Sequence, residues 1–173
     1  MREPPDSRDT HVVGIGSEPS VVTVQLNGVP SGPLAVDRIL REFAAARLEL
    51  QSIARTASDR DVSLSLTVAA DAVPTLAPLV ARLIRDNIAR DASVGAPAAP
   101  VAVLGARHAD RLSIATRMFR ALSREGINSE CLTASDARIW CLVRDDDRQR
   151  ALGALQEEFV EELARLKEGQ IGL

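Results

Sequence analysis

The apolar residues Val36, Ile39, Leu40 and Phe43 stand at i, i+3, i+4 and i+7, and the same spacing returns at Ala115, Met118, Phe119 and Leu122. A strand pattern precedes each helix pattern, Val21 to Leu26 in the first case and Val101 to Leu104 in the second. Two more strand patterns and another helix pattern follow each. In the first pass these are Leu48 to Ala54, Val62 to Val68, and a stripe of Leu76, Leu79, Val80 and Leu83. In the second they are Asn128 to Ala134, Ala137 to Val143, and a stripe of Leu152, Leu155 and Phe159. The order β-α-β-β-α, met twice, is most of a ferredoxin-like unit. Such a repeat leaves few folds open, and the chain is expected to be of the α/β (α+β) class, built from two βαββαβ units.

Local chemistry sets the expected boundaries. Val62, Leu64, Leu66 and Val68 alternate with Ser63, Ser65 and Thr67, the mark of a strand with one buried face. Asn27 to Pro33 reads as a turn-rich loop from which a helix opens near Pro33. Asp71 is placed to cap the next helix, and Pro74 suits its first turn, while Pro78 lies deeper and predicts a kink or a delayed start. In Asp91 to Pro100 the glycine and prolines allow only a short, edge-like strand that doubles as a linker. His11 to Ile15 is a weak strand ended by Gly16 and Pro19. Residues 1–10, with Pro4-Pro5 and several charges, read as a disordered tail. The last helix pattern runs on through Leu163 and Leu166 to Gly169, and its face could pack on this protein or on a partner.

Bulk properties exclude several classes. A net charge of -3 and a pI near 5.5 give no basic footprint for nucleic acid. Aromatic residues are 2% with no tyrosine, which argues against a base-stacking platform. No apolar run approaches the roughly 18 residues of a membrane span, and the first residues lack a signal-peptide core. A cytoplasmic location is expected, and Cys131 and Cys141 fit a reducing compartment. These two cysteines are expected opposite each other in a hairpin turning at Ser135 to Ala137, either as buried thiols or as a redox pair.

The run from Val101 to Phe159 resembles, without a gap, the last ACT domain of the aspartate kinases. The matching residues are Gly105-Ala106, Ala121-Leu122, Asn128-Ser129-Glu130, Thr133-Ala134-Ser135-Asp136 and Arg138-Ile139. The resemblance spans roughly residues 11 to 160, more weakly in the first unit. It implies a strand at residues 11–20 exchanged between units, a first ACT unit at 21–95, a linker at 96–100, a second ACT unit at 101–160 and a C-terminal helix extension at 161–173. It covers only the regulatory half of the family. The lysine-bearing phosphate site of the kinase half has no counterpart, Lys167 being the sole lysine. With no phosphate loop and no nucleophile-and-base set, no catalytic residue, metal ligand or cofactor is assigned, and the chain is expected not to be an enzyme.

In the family, small amino acids bind at the loop between the first strand and first helix and across paired units. The resemblance places that site at Ser31, Gly32, Pro33 and Leu34, where the family has an Asp-Lys-Pro-Gly-like loop, and at Arg55 and Thr56, where it has a Gln-Asn pair. In the second unit the family's Ser-His-Pro-Gly loop falls on Asp110, Arg111, Leu112 and Ser113, with Thr133 and Ser135 keeping a polar corner. Arg107, His108 and Arg111 there form either a cationic rim for a carboxylate or phosphate, or a solvated loop.

Strand alternation puts Ala137, Ile139, Cys141 and Val143 towards the helices and leaves Trp140 and Leu142, with Leu132 from the preceding strand, on the other face. An open sheet would expose these three as an interface for a second copy or a partner. Asp145, Asp146 and Asp147 read as helix N-terminal charges rather than metal ligands. The reading as a whole is a dimeric, non-catalytic tandem ACT protein resembling the regulatory subunit of aspartate kinase, binding an amino-acid effector, a catalytic kinase chain, or both. The alternative is an effectorless dimeric scaffold that binds a partner enzyme.

Overall fold

The computed structural model of the protein describes residues 12–57, 61–105, 111–134 and 138–170. In chain order they form β1 (Gly14–Ser17), β2 (Val21–Pro30), α1 (Pro33–Ala45), β3 (Leu50–Ala57), β4 (Asp61–Ala69), α2 (Val73–Arg85), β5 (Asp91–Val94) and β6 (Ala98–Leu104). There follow α3 (Arg111–Arg124), β7 (Ser129–Ala134), β8 (Arg138–Arg144), α4 (Arg148–Glu158) and α5 (Val160–Gln170). The chain divides into two compact units, Pro19–Ala98 and the combination of Met1–Glu18 with Ala99–Leu173.

The Pro19–Ala98 unit is an antiparallel sheet in the order β3-β4-β2, with β5 also pairing β2. Val22, Val24 and Leu26 of β2 and Val62, Leu64, Leu66 and Val68 of β4 bury one face against α1 and α2, which contribute Ile39, Phe43, Leu76, Leu79 and Leu83. The alternate residues are small and hydroxylated. Ser52 Oγ donates to Thr67 Oγ1 at 2.9 Å, and Thr23 Oγ1 lies 3.4 Å from the same atom, tying three strands together on the face away from the helices. β2 runs to Pro30 instead of turning after Leu26. Gly28 at φ 63° carries a bulge that shifts the register between Leu26 and Val29, so the strand absorbs most of the expected loop. The expected cap at Asp71 is not formed. Asp71 lies in a 3-10 turn, Ala70–Ala72, and no side chain caps α2. Nor does Pro78 delay the helix, which opens at Val73 and runs through it: burying Leu76, Leu79, Val80 and Leu83 outweighs one missing backbone bond.

In the second unit the order is β1-β6-β8-β7. β1 runs through Gly16 to Ser17, pairing Gly14 with Leu104 and Ser17 with Val101. The proposed linker at 96–100 is corrected, because β6 begins at Ala98. Pro100 is tolerated inside β6 because it needs to supply only its carbonyl, which accepts from Glu18 N–H at 3.2 Å and Ser17 Oγ at 2.8 Å. The core gathers Val101 and Val103, Ile114, Met118 and Leu122, Ile139, Cys141 and Val143, and Leu155 and Phe159. On α3 the buried stripe is Ile114, Ala115, Met118, Ala121 and Leu122, and Phe119 is only half-buried. The helix pattern after Arg148 is two helices broken at Phe159, which is fully buried.

Two expectations about the β7–β8 hairpin are corrected by one bulge. The register runs Glu130 to Leu142, then Leu132 to Cys141 and Thr133 to Trp140. Cys131 is therefore the unpaired extra residue and does not stand opposite Cys141, while Leu132 shifts out of the register shared by Trp140 and Leu142. A one-residue slip exchanges the faces of everything beyond it. The exposed apolar patch is also corrected: Trp140 is 8% and Leu142 3% exposed, and β8 is buried on both faces from Ile139 to Val143.

Candidate functional site

β2 ends at Pro30, opposite Asp61 at the start of β4, and β3 ends at Ala57, opposite Val62. The loop Ser31-Gly32 and the end of β3 therefore flank the same end of β4. Pro33 opens α1 with Gly32 extended before it, and Ala35 N–H bonds Gly32 O at 3.3 Å. No side chain caps this helix and its first turn carries no acid, so the positive end of its dipole has no compensating charge from its own residues. Ser31, Gly32 and Leu34 are exposed. Arg55 and Thr56 are exposed as well, and the register separates them. Arg55 pairs with Leu64, on the face that carries the helices, whereas Thr56 pairs with Ser63 on the hydroxyl face. Of the two, Arg55 shares the face of the α1 N-terminus, and together they make an end of the unit suited to a carboxylate.

The second unit brings less together. Arg111 is half-buried at the first residue of α3 and Ser113 is exposed within the first turn. Thr133 lies opposite Trp140 in the hairpin. Arg107, His108, Asp110 and Ser135 lie outside the described residues.

A charged cluster that the repeat pattern does not announce sits where α3 meets α4 and α5. Glu158 accepts from Arg117 Nε at 3.1 Å, Arg120 Nη2 at 2.7 Å and Arg124 Nη1 at 3.3 Å. Arg117 also donates through Nη2 to the Glu158 carbonyl at 2.7 Å, pairs through Nη1 with Glu162, and lies over the Phe159 ring at 4.3 Å. Burial alone would raise the Glu158 pKa, but hydrogen bonds from Arg120 and Arg117 hold it below the usual carboxylate range. For Arg117 burial lowers the pKa, and the bonds to Glu162 and Glu158 outweigh it, so the guanidinium stays charged. The spacing of Arg117, Arg120 and Arg124 on one helix face was legible; their shared acceptor 34 residues beyond Arg124 was not.

Asp147 is buried, at 4% exposure, and accepts from Arg144 Nε and Arg150 Nη1, both at 2.9 Å. It lies in the 3-10 turn Asp145–Asp147, which leads into α4. Among the described residues no group of three or more His, Cys, Asp or Glu converges to hold a metal, and no helix is long and apolar enough to cross a membrane.

The family model of the ACT domain matches residues 101–159. That stretch is similar to an ACT domain. Among curated relatives, an aspartate kinase of Stutzerimonas stutzeri is 24% identical over 149 residues, and an aspartokinase of Mycolicibacterium smegmatis is 25% identical over 158 residues. These matches take in 86% and 87% of this chain but only 36% and 37% of the relatives, so the chain spans little more than a third of their length. The regulatory subunit of aspartate kinase from Thermus thermophilus superimposes with a TM-score of 0.76 at 19% identity, over 86% of this chain and 99% of that one. A chain from the structure of aspartokinase alpha and beta subunits gives 0.75 at 22% identity, over 86% and 98%. Over 86% of its residues the chain thus shares the fold of the Thermus thermophilus subunit.

Proposed function

We propose that this chain is a non-catalytic regulatory subunit of an aspartate-kinase-like enzyme, acting as a dimer that binds a small amino acid and passes its occupancy to a catalytic chain. The observation that carries the reading is the fold, which matches 99% of the regulatory subunit of aspartate kinase from Thermus thermophilus at a TM-score of 0.76. The effector's carboxylate is assigned to the end of the first unit, between the α1 N-terminus at Gly32-Pro33-Leu34 and Arg55, with Ser31 beside them and Thr56 on the far face. Arg111, Ser113 and Thr133, together with Asp110 and Ser135, are the matching positions of the ACT domain. Regulation follows if the amino acid and the kinase chain favour the same one of two states.

A second reading, an effectorless scaffold for a partner enzyme, is favoured by Leu34. It stands 80% exposed where the family's loop has glycine, and an apolar side chain there offers nothing to a zwitterion. One reconstitution separates the two. Mixed with the aspartate kinase catalytic chain encoded in the same genome, the protein is expected to co-elute with it and make its rate respond to one amino acid. Co-elution without that response supports the scaffold, and no association with the kinase contradicts the regulatory reading.

A further inference from the structure

We infer that α4 and α5 form a two-position arm whose bend is latched by Arg117: folded back in this structure, and straight, as one continuous helix, when the guanidinium is withdrawn. No breaker in the sequence accounts for the bend. Ala154 to Glu168 contains no glycine or proline, most of its residues are strong helix formers, and Leu155, Phe159, Leu163 and Leu166 carry one apolar stripe across the break. The backbone leaves helical geometry at Phe159, with φ -109° and ψ 21°. Helical bonding meets it from both sides, Phe159 N–H donating to Leu155 O at 3.0 Å and Leu163 N–H to Phe159 O at 3.1 Å.

A kink without proline or glycine calls for a group inserted into the hydrogen-bond ladder, and Arg117 is that group. The Glu158 carbonyl, which an unbroken helix would give to the Glu162 N–H, accepts from Arg117 Nη2 at 2.7 Å. Through Nε the same guanidinium reaches Glu158 Oε1 at 3.1 Å, and through Nη1 it pairs with Glu162. One side chain of α3 thus grips the end of α4, the break and the first turn of α5. Little else holds α5 down: from Val160 to Leu166 only Glu162 and Leu163 are half-buried, and the rest are exposed. Straightening gives up little buried surface and returns a helical bond, so the two positions lie close in free energy and the latch decides between them. Folded back, α5 walls one groove with Val13 and Ile15 and another with Leu112 and Ser113 of α3. Its release uncovers both, and neither position depends on whether an effector binds.

Backbone NMR of the full chain tests the latch. In the wild type the 13Cα shift of Phe159 is expected outside the helical range. In Arg117→Met it is expected to move into that range, while the α5 amides keep helical shifts and exchange about tenfold faster for want of packing. Arg120→Met removes a neighbouring bond to Glu158 but leaves the carbonyl to Arg117, and is expected to keep the break. Arg117→Lys keeps the charge without the fork and is expected to show the same change in part, so a fold lost with methionine still leaves a reading. A Phe159 shift that stays non-helical in the folded Arg117 variants overturns the latch, as does a straightening that Arg120→Met produces equally. An α5 that melts, its helical shifts lost, overturns the straight position.

Discussion

Arg148 donates through Nη1 to the carbonyl oxygen of Glu18 at 2.6 Å, filling the place of the N–H that Pro100 cannot supply. In a regular ladder the pair Glu18 and Pro100 would exchange two bonds; here the first comes from Glu18 N–H and the second from a side chain on α4. The same nitrogen also donates to Ser17 Oγ at 2.7 Å, and Nη2 reaches Asp145 Oδ1 at 2.7 Å. The guanidinium therefore holds the end of β1 in its sheet.

Arg148→Met is expected to lower stability by about 1–3 kcal/mol, because a partly buried carbonyl loses its donor. Urea unfolding reads this directly. Pro100→Ala returns a backbone N–H at that place and should recover part of the loss in the double variant; strict additivity would show that the two groups do not serve the same carbonyl.

At Gly28 both backbone and space demand glycine. Its φ is 63°, and a Cβ there would come within 2.6 Å of Arg90 Cβ, an atom held by the Arg90 N–H bond to Asn27 O. Gly28→Ala is expected to cost about 1–3 kcal/mol. Gly16→Ala, where an added Cβ meets nothing within 4 Å, serves as the control and should leave the unfolding midpoint nearly unchanged.

The arginines around Glu158 predict an acid-sensitive clasp. Its folded-state pKa is depressed, so its contribution to stability is complete above the unfolded value near 4.3 and is lost as pH falls through the lower folded value. Arg117 has a raised pKa, stays protonated across this range and adds no slope of its own. Glu158→Gln should flatten the acid limb of the stability profile, below the unfolded carboxylate value, relative to wild type. Parallel profiles would show that Glu158 is not a principal source of the acid slope.

Periodicity made the repeated units readable because each helix stripe and strand alternation answers to a buried face, as Leu64 and Leu66 or Met118 and Leu122 show. The bulges at Gly28 and Cys131 left no comparable trace. Each is a backbone event of one residue, and the second moved Leu132 out of Trp140's register. Alternation assigned Trp140 to the face away from the helices but could not say that this face is covered. For the candidate site, the sequence supplied Arg55 and Thr56 as a pair, and only the register with Leu64 and Ser63 placed them on opposite faces. The Glu158 cluster stayed hidden because its arginines and its carboxylate lie on different helices.

The register also makes a prediction about the effector. Arg55→Ala should weaken amino-acid binding by at least tenfold, whereas Thr56→Ala should leave it within about twofold, as expected if only Arg55 joins the α1 N-terminus. Equal losses in isothermal titration would show that both faces of β3 take part.

Thermal unfolding of the purified chain against each common amino acid at millimolar concentration tests the central claim most directly. A ligand at about 100 times its dissociation constant adds roughly 2.7 kcal/mol of stability. The account predicts that one amino acid raises the midpoint and that Arg55→Ala abolishes the rise. A flat response across the panel would contradict an amino-acid-responsive regulator and leave the scaffold reading in its place.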